Sequence, residues 1–326
     1  MTVAALVGLA LAFSFLNGYN GSGSLVGTLI STGGIGARRA LLLAAAASFV
    51  GLYLFGLAVA FVIGTDIVEP TGITVASMAA ALTSALLWNA LASALGIPSS
   101  SAQALIGGLI GGGIAAGGLG VVQVSGLEIV ALALVGAPIV AVLVGWLAMH
   151  TVLWLARGAS PRINEFFRQG QVVTSILLAL SFGSSNGQRV VGVIALILFR
   201  AKLTQAFVIP DWVILGSALS MSLGISMGGW RVIRTVGARI FRLRPVHGFV
   251  AQGTAAIIVV GATLLGGPVS LTQISSTAIV GAGVAERMSK VRWEVAEHLA
   301  IEWLITIPAT AFVAIVLYPV AFLLMG

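Results

Sequence analysis

Four short polar patches interrupt otherwise apolar stretches, and their residue types are those that bind anions without metal or nucleophile chemistry. They are Phe15-Leu16-Asn17-Gly18-Tyr19-Asn20-Gly21-Ser22, Gly96-Ile97-Pro98-Ser99-Ser100-Ser101-Ala102-Gln103, Ser181-Phe182-Gly183-Ser184-Ser185-Asn186-Gly187-Gln188 and Gly266-Gly267-Pro268-Val269-Ser270-Leu271-Thr272-Gln273. Gly-Pro-Ser and Asn-Gly sequences inside a span predict a broken helix, and lipid cannot satisfy the backbone groups a break sets free. Each patch precedes a helical stretch, so each predicts a half-helix N-terminus whose free N–H groups and positive dipole end attract an anion. Asn20, Gly21, Ser22, Ser24, Ser99, Ser100, Ser101, Ser184, Ser185, Asn186, Gln188, Ser270 and Thr272 are the candidate binding residues. Four such N-termini converging would cage a small tetrahedral oxyanion in neutral donors. For any one Ser-Ser pair, packing and back-bonding to the helix is the competing reading.

The spans that must position these patches follow from composition. Of 326 residues 59% are hydrophobic and 8% charged, with a mean hydropathy of +1.13. A water-covered domain carries roughly a quarter charged residues, so most of this surface faces lipid. Apolar stretches recur at Ala40–Ile63, Gly72–Leu95, Ala104–Val121, Leu127–Leu155, Val173–Phe182, Val190–Phe199, Trp212–Met227, Phe249–Leu265, Ser276–Ala285 and Ile301–Leu324. An acidic loop from Asp66 to Glu69, ending at Pro70, separates the first two. Basic residues gather at Arg38–Arg39, at Arg157, Arg162 and Arg168, at Arg231, Arg234, Arg239, Arg242 and Arg244, and at Arg287, Lys290 and Arg292. Placing these clusters in the cytoplasm puts 13 of the 16 Lys and Arg residues inside. Both termini then lie outside, in a multi-pass protein of the cell membrane. The net charge of +7 sits in loops between spans, which argues against a nucleic-acid partner, and no cysteine is available for a disulfide or thiolate site.

The chain contains itself twice. The second Pro-Ser patch follows the first by 170 residues, and Pro138 and Pro308 keep that offset, while the Asn-Gly patches stand about 165 apart. The acidic loop falls outside and its counterpart near Arg231 inside, so the two halves run in opposite directions. The expected fold is an all-α polytopic membrane protein of two inverted-topology repeats, with broken helices meeting at a central anion site. The expected domains are 1–156, a cytoplasmic linker 157–170, and 171–326. Such a design indicates a transporter working by alternating access, with an anion channel as the alternative. Three scattered histidines and no paired intramembrane acids argue against an enzyme.

At these patches the chain resembles the inorganic phosphate transporter (PiT) family. The family's first repeat carries an N-G-F-N-D-x-x-N type motif, its second an H-G-x-N-D-A-Q-K type motif, and both carry G-L-P-V-S-T-T-H type motifs. Asn17-Gly18-Tyr19-Asn20, Gly183-Ser184 and Gly267-Pro268-Val269-Ser270 carry the resemblance. So do Gly229-Trp230-Arg231-Val232-Ile233, Thr235-Val236-Gly237 and Arg244-Pro245-Val246-His247-Gly248-Phe249. It implies a cation-coupled oxyanion symporter that forms a homodimer. The departures all remove acids or titrating groups. The family's aspartates fall on Gly21 and Asn186, its motif-ending histidines on Gln103 and Gln273, and a glutamate on Gln252.

Sulfate is fully ionised and only accepts hydrogen bonds, so a carboxylate-free site of donors suits it, and the sulfate permease branch is the expected placement. Phosphate is the alternative. The same losses weaken a sodium site, so protons are the expected coupling ion and sodium the alternative; no cofactor or metal is implied. Arg189 could lend positive charge to the anion, and Glu302, one turn after His298, could carry a proton within the membrane. Glu128 reads as interfacial and His247 as a solvated loop residue.

Overall fold

The computed structural model describes residues 2–69, 72–160, 162–238 and 243–325; Pro70, Arg239 and Arg242 lie outside the described residues. The described chain is built of helices, with one isolated bridge between Val68 and Val122. The first half runs α1 (Thr2–Ser31), α2 (Ala37–Leu54), α3 (Ala58–Phe61, continued by a wide turn over Val62–Asp66), α4 (Val75–Leu95) and α5 (Ser101–Gly117). It closes with α6 (Val124–Ala131) and α7 (Ala137–Leu155), joined through a wide turn at Leu132–Gly136. The second half runs α8 (Ile163–Arg200), α9 (Asp211–Met227), α10 (Trp230–Ala238), α11 (Pro245–Leu264), α12 (Leu271–Arg287) and α13 (Trp293–Met325). Among the described residues, seven helical stretches are long and apolar enough to cross a bilayer.

Packing partners pair off between the halves. α7 lies on α12 and α13 on α5, so each half's last helix seats against the other half's Pro-Ser helix. Likewise α1 packs on α9 and α8 on α2. α8 sits at the centre: its 38 residues reach about 57 Å, and its apolar window is 94% buried. The segment expected as a linker, 157–170, is helical from Ile163 onward, because Ile163-Asn164-Glu165 starts α8 early with its acid in the first turn.

The Pro-Ser breaks form as expected. Gly96 (φ 70°) ends α4 and Gly266 (φ 75°) ends the turn after α11, a conformation that glycine adopts without strain. The local hydrogen bonds repeat at the 170 offset. Ile97 N–H donates to Ala92 O at 2.9 Å and Gly267 N–H to Ala262 O at 2.8 Å. Ser100 and Ser270 then cap α5 and α12 by accepting from the Gln103 and Gln273 N–H groups at 3.3 and 3.4 Å.

The Asn-Gly patches are not breaks. α1 and α8 run through them unbroken, so two of the four expected half-helix N-termini do not exist. Their small residues serve close helix crossings instead. A Cβ on Gly18 would stand 2.1 Å from Met221 O of α9, and one on Gly183 would stand 1.9 Å from Ser48 O of α2. Gly within a helix costs about 1 kcal/mol relative to Ala, too little to break one that is packed on all sides. The unexpected breaks lie elsewhere, at Phe55–Leu57 between α2 and α3 and at Gly228-Gly229, where α9 and α10 bend by 71°.

Candidate functional site

The two unexpected breaks explain two of the predicted binding residues. Ser22 Oγ accepts from the Gly229 N–H at 2.8 Å and donates to Tyr19 O at 2.6 Å, tying α1 to the start of α10. Gln188 Oε1 accepts from the Val59 N–H at 2.9 Å, tying α8 to the start of α3, while its Nε2 donates to Ser184 Oγ at 2.9 Å. Both side chains satisfy N–H groups that a helix start leaves without an intrahelical partner. Gly21 faces the Phe182 ring, 2.3 Å from where its Cβ would stand, so it is a packing glycine.

The remaining candidates gather in two clusters, one per half. In the first, Asn20 Nδ2 donates to Asn89 O at 3.0 Å and Ser101 Oγ donates to Asn89 Oδ1 at 3.1 Å, joining α1, α4 and the N-terminus of α5. Asn89 carried no signal in the sequence, because it sits in α4 without a motif around it. Ser99 Oγ accepts from Trp88 Nε1 at 2.9 Å. In the second cluster, Arg189 is the largest fully buried side chain described, 1% exposed. Its Nη1 donates to Asn186 Oδ1 at 2.7 Å, and its Nη2 donates to Ser185 Oγ at 2.9 Å and to Val269 O at 2.5 Å. Val269 immediately precedes Ser270, so the guanidinium lies beside the N-terminus of α12. Among the described residues, Arg189 makes no ion pair with an acid. Ser24, which occupies the matching position in α1, is buried with its hydroxyl unpartnered.

Buried polar groups ordinarily find partners, yet here several do not. Asn20 Oδ1, Ser24 Oγ, Asn89 Nδ2, Gln103 Oε1, Asn186 Nδ2, Arg189 Nε and Gln273 Oε1 are buried and unpartnered. They include donors and acceptors, and all but Ser24 belong to the two clusters or to the first turns of α5 and α12. Gln103 and Gln273 also line one cavity of about 520 Å³, together with the matched residues Val130 and Ala300 and Leu134 and Leu304. The two half-helix N-termini therefore reach a common space. Thr272 is only half-buried and its carbonyl accepts from Ser275 Oγ at 3.3 Å.

The phosphate transporter family model matches residues 17–314, which span both clusters and both Pro-Ser breaks. The chain belongs to the phosphate transporter family. Among its relatives, a probable low-affinity inorganic phosphate transporter of Rhizobium meliloti is 38% identical over 96% of this chain and 94% of its own length. One of the same description from Bacillus subtilis is 38% identical over 95% and 94%. A solved structure described as the sodium-dependent phosphate transporter superposes with a TM-score of 0.89 over the whole of both chains at 23% identity, which establishes the shared fold. Family membership makes the protein a multi-pass membrane transporter rather than an enzyme.

Within this family member, the remaining sequence candidates also have defined places. Glu302 accepts from Thr306 Oγ1 at 2.9 Å, and His298, exposed one turn earlier, bonds the Glu294 carbonyl through Nδ1 at 2.6 Å. Both line a cavity against α4. His247 is not a solvated loop residue: it is fully buried. Its Nδ1 accepts from the Arg244 N–H at 3.1 Å, so its Nε2 carries the proton and donates to Glu286 Oε2 at 2.6 Å. Arg244 completes the trio with a 2.6 Å ion pair to Glu286, pinning the start of α11 to the end of α12. Gln252 holds α1 and α8 to α11, donating to Leu25 O and accepting from Thr174 Oγ1, each at 3.2 Å.

Proposed function

We propose that this protein carries inorganic phosphate across the bilayer by cation-coupled alternating access between two inverted repeats. The observations that carry the reading are a buried guanidinium at Arg189 with no acid beside it among the described residues, and unpartnered amide oxygens at Asn20, Gln103 and Gln273. A buried charge needs a counter-charge, and an anion beside the α12 N-terminus supplies it. Phosphate near neutral pH keeps at least one proton and so donates as well as accepts. Neutral amide oxygens can accept from that O–H, and no carboxylate is needed.

This reverses the expectation of sulfate. That expectation took absent carboxylates to mean absent acceptors, but amide carbonyls fill the role, and sulfate has no proton to give them, so it forgoes each bond that a phosphate O–H would make, at about 1–3 kcal/mol. The relatives described as phosphate transporters support the same direction, and none of those described points to a sulfate branch. The repeated hydrogen bonds at the Pro-Ser breaks and the matched packing partners support the two-repeat reading.

The test is uptake of labelled phosphate into proteoliposomes with excess unlabelled sulfate or phosphate as competitor. Competition by phosphate alone is expected. Sulfate displacing phosphate at equal concentration would overturn the assignment.

A further inference from the structure

We propose that Glu302 is the proton-carrying group that couples transport, acting on the substrate site through Ser99; this rests on the phosphate reading and deepens it. The carboxylate sits on α13 beside Ser99 and Trp88, at the turn that leads into α5. One oxygen accepts from Thr306 Oγ1, while Oε2 is buried and has no hydrogen-bond partner. A buried carboxylate oxygen with no hydrogen bond formed, and with the Ser99 hydroxyl close by, is a place for a proton.

The surroundings give that proton a route and a consequence. A cavity of about 260 Å³ adjoins Glu302, lined by Trp88, Leu91, Leu95 and Ile97 and, at its rim, by exposed His298. This end of the molecule carries the basic residues: Arg292 directly precedes α13, and Arg231 of α10 donates to Ala94 O at the end of α4. Along the cavity, α4 and the turn after it contribute no titratable side chain, so His298 and Glu302 are the titratable groups facing it.

On the other side stands Ser99, whose Oγ already accepts from Trp88 Nε1. A hydroxyl has one proton to give and a second lone pair. Facing an ionised Glu302, Ser99 gives its proton to the carboxylate. Facing a protonated Glu302, Ser99 accepts from it and turns its own O–H elsewhere. Two residues on, Ser101 holds Asn89, which holds Asn20, so a change at Ser99 reaches the first binding cluster. The position matching Glu302 in the first half is Leu132, so the device exists once per chain.

The experiment uses the full-length protein in proteoliposomes and measures two fluxes. One is phosphate–phosphate exchange at equal pH on both sides; the other is net accumulation driven by an imposed pH gradient without sodium. The wild type is expected to do both. Glu302→Gln, which mimics the protonated group, is expected to hold exchange within a few-fold and lose at least tenfold in gradient-driven accumulation, with Glu302→Asp restoring part of it. Undiminished accumulation by Glu302→Gln overturns the proposal. So does loss of exchange along with accumulation, which marks a structural residue. Wild-type accumulation driven by a sodium gradient and indifferent to pH also overturns it. A wild type that neither exchanges nor takes up phosphate would instead overturn the substrate assignment.

Discussion

Replacing Arg189 by methionine separates a substrate-binding cation from a structural one. The guanidinium makes three hydrogen bonds, to Asn186, Ser185 and the Val269 carbonyl, and is buried with no acid beside it. If those bonds were its purpose, the substitution would leave three acceptors stranded at about 1–3 kcal/mol each and the protein would unfold readily. If the charge serves a bound anion, the empty protein already bears the cost of burying it. A buried charge without a counter-charge is costly, and methionine removes that cost. That gain offsets much of the lost bonding, so the apparent melting temperature in detergent should move by no more than a few degrees. Substrate then loses one or two charge-assisted bonds, about 1.5–3 kcal/mol each. At about 1.4 kcal/mol per decade, one such bond raises the phosphate KM roughly 10- to 100-fold. Arg189→Lys should fall between, keeping the charge without the planar fork. Uptake kinetics and thermal unfolding on the same preparations decide the matter. A collapsed melting temperature with an unchanged KM in the surviving protein would refute the reasoning.

Other outcomes follow from the same geometry. Gly183→Ala and Gly51→Ala place a methyl about 2 Å from the backbone carbonyls of Ser48 and Leu180 and should abolish stable folding, measured as monodisperse yield. Gly261→Ala meets nothing within 4 Å in the last turn of α11 and should be neutral or add up to about 1 kcal/mol. Gly21→Asp should fail by striking the Phe182 ring rather than by repelling substrate, and adding Phe182→Ala should recover expression. Glu286→Ala strands the buried Nε2–H of His247 and should cost about 1–3 kcal/mol by thermal unfolding, with phosphate KM unchanged.

The Pro-Ser breaks were legible because their signals are local: proline restricts the residue before it, and Gly96 and Gly266 take a φ that side chains avoid. The Asn-Gly patches were misread because the decisive atom is remote. Whether Gly183 ends a helix or admits one depends on the Ser48 carbonyl, 135 positions earlier, and nothing beside Gly183 encodes that. Composition alone looks the same in both cases. The break at Gly228-Gly229 carried a local sign in its paired glycines, but the arginines that follow made the segment read as loop. Asn89 was invisible because a single polar residue in a span is commonplace until its neighbours in space are known. Arg189 stood out by charge, yet only its burial without an acid turns it from a candidate into a problem that an anion solves.

The exchange of final helices has a consequence for how the protein is made. A ribosome finishes α7 before α12 exists, so α7 leaves the translocon with no seat to occupy. It can wait, because Val124–Leu155 is the most apolar of the described spans and lipid is an adequate host. α8 cannot, being the least apolar of them and almost wholly enclosed by protein at maturity. Its arrival beside α2 favours early docking of a span that lipid hosts less well than protein does. Assembly thus has a direction: the greasiest helix is parked before the most polar one recruits its neighbours, and α13, made after both, latches back onto the first half.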